Sequence, residues 1–232
     1  MREKDFPRHI ALIMDGNGRW AEKRSLPRLS GHNAGMKAMK EIVKHSSEIG
    51  LEYLTVYAFS TENWKRSKEE VGGIFRLLCY YVENELKELC DNNVRVRILG
   101  AYEELPKDAY EAVCRAIEET KDNTGLQFCI ALNYGGRAEI LRAVNSLVCE
   151  KHDIVDEELF SSRLYTSGMP DPDLLIRTSG EERISNFLLW QLAYSEMAFT
   201  ETLWPDFTPD ELDRLIEEYR TRERRYGGRL KP

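Results

Sequence analysis

In the segment His9-Ile10-Ala11-Leu12-Ile13-Met14-Asp15-Gly16-Asn17-Gly18-Arg19-Trp20, an apolar run leads straight into a carboxylate, two glycines, an amide, an arginine and an indole. Ile10 to Met14 suit the middle of a parallel sheet, where both faces are covered. The polar turn then falls at a strand's carboxyl end, where open α/β sheets place ligands. Gly16 and Gly18 are expected to turn with positive φ and to leave amide N–H groups free for an anion. Asp15 repels a bare phosphate, so it belongs beside one only with a divalent cation between them. Arg19 supplies a planar fork for phosphate oxygens. The turn therefore reads as a site for Mg²⁺ and a diphosphate, although D-G-N-G is also an ordinary turn sequence. Two familiar phosphate loops are excluded: G-x-x-x-x-G-K-[ST] is absent, and G-x-G-x-x-G would need a third glycine where Ala21 stands.

Three further polar clusters stand where strands should end or helices begin. Arg28-Leu29-Ser30-Gly31-His32 offers an arginine and a histidine, the latter a phosphate donor or simply a capping residue. Phe59-Ser60-Thr61-Glu62-Asn63-Trp64-Lys65-Arg66 combines hydroxyls, an amide and an arginine with two aromatics, which suits a ligand with a polar head and an apolar tail. The third runs from Asp171 to Phe187. In it Arg177 ends a strand, and Arg183 and Ser185 precede an expected helix over 187–194 whose N-terminus would attract anions. Glu196 follows that stretch and could reach a metal. Any one of Arg19, Arg28, Arg66, Arg177 and Arg183 has an ordinary role as a surface ion pair. Grouped near predicted strand ends, they point to a highly charged ligand.

The elements that must position these groups alternate between strand and helix. Strands are expected at 9–14, 53–59, 94–99, 127–133, 173–177 and 199–203. Met36, Met39, Val43 and Ile49 recur at helical spacing, closed by Gly50. Ser67-Lys68-Glu69-Glu70 is a capping box opening a long helix with the stripe Val71, Ile74, Leu78, Val82, Leu86 and Leu89. Further helices fit 107–121, 138–149 and 156–164, and the last opens at Thr208-Pro209-Asp210-Glu211. This alternation predicts an α/β fold: a mostly parallel central sheet of about six strands with helices on both faces. The long helix carries more large apolar groups than one buried face needs. Core packing, a subunit interface and the wall of an elongated apolar tunnel all account for the surplus.

Composition bounds the class. With 232 residues, 42% of them hydrophobic, and no linker or repeat, the chain is expected to form one domain over 1–232. The net charge of −7 argues against general nucleic-acid binding and makes any arginine cluster a local basic pocket. The five cysteines contain no C-x-x-C pair, so zinc and redox motifs are unsupported. Apolar runs are far short of a bilayer span, and Met-Arg-Glu-Lys-Asp lacks the apolar core of a signal peptide, so a soluble cytoplasmic protein is expected.

Taken together, H-I-A-L-I-M-D-G-N-G-R-W, G-H-N-A-G, F-S-T-E-N-W-K-R, N-Y-G-G-R and D-L-L-I-R-T-S-G-E-E-R-I-S-N-F-L-L-W-Q resemble the cis-prenyltransferases, also called undecaprenyl diphosphate synthases or isoprenyl transferases. The resemblance spans nearly the whole chain, with the motifs in the family's order. Ser67 departs from the proline expected after Arg66, but both residues begin a helix well. The resemblance implies Mg²⁺-dependent condensation of isopentenyl diphosphate with an allylic diphosphate, usually farnesyl diphosphate, to a longer cis-polyprenyl diphosphate. The expected product is undecaprenyl diphosphate, for a cell-wall lipid carrier. It further implies a homodimer that has no transmembrane segment, with transient membrane contact left open as a route for product release.

Residue by residue, the resemblance has Asp15 hold Mg²⁺ against the allylic diphosphate. Gly16, Asn17, Gly18, Arg19 and Trp20, with Arg28 and His32, would bind that diphosphate. Arg177, Arg183, Ile184 and Ser185 would hold isopentenyl diphosphate, with Glu196 as a second metal-associated carboxylate. Ser60, Thr61, Glu62, Trp64 and Arg66 would complete the pocket. Asn63 is the position the family associates with proton removal; a neutral amide is a poor base, so orienting the substrate or relaying a proton suits it better. No D-D-x-x-D motif occurs, which separates the chain from the all-helical trans-prenyltransferases. Two other readings remain: a non-catalytic partner subunit, which should have lost Asp15, Asn63 or the arginines, and a phosphatase-like or nucleotide-dependent α/β enzyme.

Overall fold

A computed structural model describes residues 6–222. Six strands form one sheet: β1 (His9–Ile13), β2 (Tyr53–Ser60), β3 (Arg95–Leu99), β4 (Gln127–Tyr134), β5 (Leu174–Arg177) and β6 (Glu196–Phe199). Their order is β3-β4-β2-β1-β5-β6, and every adjacent pair is parallel. Seven helices connect them: α1 (Asn17–Lys23), α2 (Arg28–Glu48), α3 (Lys68–Asp91), α4 (Lys107–Thr120), α5 (Gly136–Cys149), α6 (Glu157–Ser161) and α7 (Pro209–Arg220).

The period of two along β1 explains its burial on both sides. Ile10 and Leu12 join a core with Ala38 and Ile42 of α2, Leu86 of α3 and Leu212, Leu215 and Ile216 of α7. Ala11 and Ile13 face the opposite way, into a second core with Leu175, Phe187, Leu188 and Leu192. The second face is not covered as predicted. Residues 187–194 form turns rather than a helix. Ser185, Asn186 and Leu188 adopt φ of 47°, 63° and 43°, left-handed values that no α-helix can propagate. Apolar spacing there reflects insertion of Phe187 and Leu188 beneath the sheet, where both are fully buried. The sixth strand accordingly comes earlier, at Glu196–Phe199 instead of 199–203.

Strand order places the site. From β1 the chain moves to β2 on one side, then returns after β4 to lay β5 on the other side of β1. The crevice between the carboxyl ends of β1 and β5 is therefore the topological switch point. Ile13 pairs with Arg177 there, so Asp15 and Arg177 emerge side by side.

α1 was missed in the sequence because D-G-N-G reads as a turn. Only Gly16 has a positive φ, 109°, and it is the N-cap of α1. Gly18 lies inside the helix, where its missing side chain makes room: a Cβ there would stand 2.6 Å from an Nη atom of Arg28. Two glycines of α2, Gly31 and Gly35, let the helices touch. A Cβ on Gly31 would lie 2.0 Å from the Asn17 carbonyl oxygen, and one on Gly35 would lie 2.2 Å from Asn17 Oδ1. Trp204 Nε1 donates to the Gly35 carbonyl at 2.8 Å and locks the same junction.

Gly31→Ala should thus force α1 and α2 apart and destabilise the protein by about 1–3 kcal/mol, the usual range for overpacking. Gly50→Ala, where a Cβ meets nothing within 4 Å and only the φ of +75° is unfavourable, should cost less. Urea denaturation of the two variants checks the order.

Candidate active site

Arg177 is the centre of the first polar cluster. Its side chain is 4% exposed and donates to Asp15 Oδ2 at 2.9 Å, to Ser185 Oγ at 2.7 Å and to the Arg183 carbonyl. Its Nε is buried with no partner among the described residues. Arg19 approaches the same Asp15 oxygen at 3.3 Å and donates to the Ser179 carbonyl at 3.0 Å, with Glu181 at 3.4 Å. Burial, the largest single influence on Asp15, pushes its carboxyl up. The hydrogen bond and charge of Arg177, then Arg19 and the Gly16 amide, outweigh it and hold the group below the usual carboxylate range. Arg183 is the outermost member, 62% exposed and paired with Glu181.

A second cluster lies between α2 and α3. Glu70 receives His32 Nε2 at 3.2 Å and Arg66 at 2.9 Å, with Arg28 Nε at 4.0 Å. Burial lowers the pKa of His32, although its bond to Glu70 acts the other way. Burial also acts to raise Glu70, but His32, Arg66 and Arg28 hold it low. Sequence reasoning saw Glu70 only as the capping-box partner of Ser67. Ser67 does cap α3, accepting from the Glu70 amide at 3.2 Å, but the Glu70 carboxylate serves the basic cluster instead. Arg28, lodged against Gly18, bridges toward the turn that carries Asp15.

The loop after β2 forms the third wall. Asn63 Oδ1 accepts from the Ser60 amide at 3.0 Å, which commits the acceptor oxygen to the backbone and leaves the carboxamide with donors to offer. Trp64 packs on Phe59 and Phe75 at ring distances of 5.1 and 5.5 Å, and its Nε1 donates to Asn133 at 2.8 Å. Asn186 is the second residue missed in the sequence. Its Nδ2 donates to Glu62 at 3.0 Å, while its Oδ1 and carbonyl accept from the amides of Arg137 and Gly136 at 2.9 and 2.7 Å. It ties the ends of β2, β4 and β5 together, with Thr61 also against Gly135. Asparagine tolerates its positive φ of 63° better than most residues, and its residue type was the available signal.

Two expected members lie elsewhere. Trp20 donates its indole N–H to Asp206 at 2.7 Å and stacks under Arg24, 4.1 Å from the ring centre. Glu196 opens β6 level with Leu174, three residues back along β5 from Arg177, or roughly 10 Å by strand rise. It pairs with Arg222 at 3.2 Å at the amino edge of the sheet. Position and resemblance both put it beside a metal; within this single chain the start of β6 at Glu196 places it at the opposite end of the sheet from Asp15.

Beyond the polar groups lies apolar space between α2, α3 and the sheet. One cavity, about 80 Å³, begins at Asn17 and His32 and is walled by Met14, Ile74, Phe75 and Leu132. The next, about 90 Å³, continues to Val82, Leu89, Val94 and Phe128. Met36, Met39, Leu78 and Ile130 line both. Of the stripe, Ile74, Leu78, Val82 and Leu89 line these cavities, whereas Leu86 and Val71 are buried in core clusters.

Comparison with known proteins agrees with this layout. The family model described as "Putative undecaprenyl diphosphate synthase" matches residues 13–227. The chain belongs to the cis-prenyltransferase family. Among cis-prenyltransferase relatives, the isoprenyl transferase of Clostridium perfringens is 50% identical, covering 97% of this chain and 92% of that one. That of Staphylococcus saprophyticus is 51% identical over 97% and 91%. Lavandulyl diphosphate synthase from Lavandula x intermedia, solved with dimethylallyl diphosphate, superposes with a TM-score of 0.94 at 34% identity, covering 97% and 100%. A structure described as a "probable undecaprenyl diphosphate synthase" from Campylobacter jejuni gives 0.80 at 37% identity, covering 98% and 100%.

Replacing Arg177 with Met should leave burial to dominate Asp15 and raise its pKa. A carboxyl held low contributes stability above its unfolded pKa and loses it as pH falls through the folded value, so the acid limb of unfolding should move upward too. Carboxyl NMR titration of Asp15 in both proteins measures the shift; an unmoved Asp15 would rule out the pairing as its cause.

Proposed function

We propose that the Asp15 pocket takes the diphosphate of an allylic primer, usually farnesyl diphosphate, and that the neighbouring Arg177–Ser185 pocket takes isopentenyl diphosphate. The coarser statement rests on family membership: the chain is a prenyltransferase that condenses isopentenyl diphosphate with an allylic diphosphate to a polyprenyl product. Within it, undecaprenyl diphosphate for a cell-wall lipid carrier is the proposed product. The observation that carries the two-pocket reading is the pair of separate basic clusters at one edge of the sheet, with apolar cavities opening from beside His32. A non-catalytic subunit would have no use for an intact Asp15, Asn63 and arginine set. A nucleotide-dependent enzyme would have no use for the apolar depth.

The residues suit each requirement of the reaction. A departing diphosphate concentrates negative charge, and Arg19, Arg28, Arg66 and His32, with the unpaired amides opening α1, offer donors to it. Asn17, whose Oδ1 is buried without a partner, stands at the head of the apolar cavity. Arg177, Ser185 and Arg183, with Ile184 between them, hold the second diphosphate apart from the first, so its double bond can lie against the allylic carbon. Asn63 donates rather than accepts, so it orients a substrate while the proton leaves to a more basic oxygen, at Asp15 or a diphosphate. Ser60, Thr61 and Glu62 complete this wall.

Among the described residues no group of three or more His, Cys, Asp or Glu could cage a metal. Mg²⁺ commonly binds through one or two carboxylates plus substrate phosphates, and the single carboxylate of Asp15 fits that pattern. Bound there, Mg²⁺ would neutralise the leaving diphosphate. Glu196, the second metal-associated carboxylate that the resemblance implies, stands within this chain at the amino edge of the sheet.

The two joined cavities read as one tunnel for the growing chain, running roughly 22 Å along α3 from Ile74 to Leu89. The exposed stripe Leu141, Val144 and Val148 on α5 supports a homodimer, since three apolar side chains at helical spacing face solvent. Among the described residues no helix is long and apolar enough to cross a membrane. A cytoplasmic enzyme of one domain over 1–232, touching a membrane only to release product, completes the proposal.

Incubation with labelled isopentenyl diphosphate, farnesyl diphosphate and Mg²⁺, followed by chromatography of extracted products, tests the function. Asp15→Ala should lose about 10²–10³ in turnover and, by leaving buried Arg177 without its carboxylate, lower the melting temperature as well, so turnover is read below that temperature; near-normal turnover with Mg²⁺ present sinks the assignment. Arg183→Ala should raise the KM for isopentenyl diphosphate more than that for the primer, and Arg28→Ala the reverse, each by roughly 1.5–3 kcal/mol. Equal effects on both substrates would collapse the two pockets into one. Val82→Trp should shorten products by blocking the second cavity while single addition survives. Leu86→Trp, aimed at a core position, should instead destabilise the fold.

A further inference from the structure

The wall of the inner cavity is mostly apolar, with Lys40, Lys44, Tyr81, Glu85, Glu88 and Asn92 as its polar members. Lys40 of α2 reaches across to α3 and bonds Glu85 at 2.6 Å and Glu88 at 2.8 Å. Lys40, Tyr81 and Glu85 line both the inner cavity and a wide groove on the outer surface between the same two helices. Tyr81 adds a weaker tie, its hydroxyl 3.4 Å from Asn33. These side chains are therefore the partition between the enclosed space and the outside. They lie toward the deep end: that cavity reaches Val94 and Phe128 at the amino ends of β3 and β4, opposite the edge carrying Asp15. The hydrogen bonds to Glu85 and Glu88 push the Lys40 ammonium up, so the partition stays charged at any physiological pH.

We propose that the Lys40–Glu85–Glu88 ion pairs form a polar latch that closes the side of the tunnel between α2 and α3 and helps set the length of the product. This rests on the tunnel reading above. An isoprenoid tail offers charged groups no hydrogen bonds, so it can fill the cavity up to the latch but cannot displace it without leaving charges unpaired against hydrocarbon. The latch also ties the two helices across the cavity that Met36, Met39, Val43, Leu78 and Val82 line. Opening it would join the inner cavity to the outer groove and give a longer tail somewhere to go.

Lys40→Met keeps the apolar stem of the lysine and removes its charge. With labelled isopentenyl diphosphate and farnesyl diphosphate, this variant should yield products longer by at least one isoprene unit, with the first addition still occurring. The double variant Lys40→Glu/Glu85→Lys rebuilds the pair in reverse, next to Glu88, and should return products to the wild-type length. Thermal unfolding of both variants separates altered length from a damaged fold. Unchanged product lengths in Lys40→Met, or a reversed pair that behaves like the single variant, overturn the latch while leaving the tunnel standing. A wild-type protein that forms no condensation product overturns the parent reading itself.

Discussion

A buried guanidinium must be paired or it destabilises what surrounds it, and Arg177 imposes that constraint on the whole active edge. It ends a central strand with almost no exposure, so its partners have to be brought to it. Asp15 arrives from β1 because the two strands are neighbours in register. Ser185 and the Arg183 carbonyl arrive because the following loop turns back through left-handed residues. Asn186 then fixes that loop to the ends of β2 and β4. One charge at a strand end thereby aligns four separate segments. Removing its partners would strand a cation in the core, so the arrangement is held by the fold's own stability.

The other organising fact is the division of space around α3. Its amino end carries polar groups turned toward β2 and α2, and further along its apolar side chains border cavities rather than fill them. Packing that stops short of closure is uncommon in a core, because unfilled volume forfeits dispersion contacts. On the same face of the sheet α7 packs closely, with Leu212, Leu215 and Ile216 nearly fully buried. Stability and capacity thus come from different parts of one helical layer.

The motifs made most of the site legible. Strand ends with glycines, arginines and a carboxylate pointed to an anion at the sheet edge, and the sheet has the six strands expected, all of them parallel. What stayed hidden was tertiary in origin. The stretch 187–194 has apolar residues at helical intervals, but backbone geometry at Ser185, Asn186 and Leu188 comes from seating Phe187 under the sheet, which no local pattern encodes. The start of β6 at Glu196, rather than at 199, escaped the pattern for the same reason. Leu86 was indistinguishable from Val82 by spacing alone, since one stripe serves core and cavity together. Glu70 carried a local signal strong enough to mask its other role.

Glu70 gives the basic cluster an unusual starting point. Arg28, Arg66 and His32 are not free cations awaiting a ligand; they already share a counter-ion built into the chain. An anion that draws these donors away makes binding an exchange rather than an addition. The carboxylate left behind loses the partners that kept its proton affinity low, while burial still favours its neutral form. Such an exchange raises the proton affinity of Glu70, and calorimetry in buffers of different ionisation heat would register any proton taken up in the binding enthalpy.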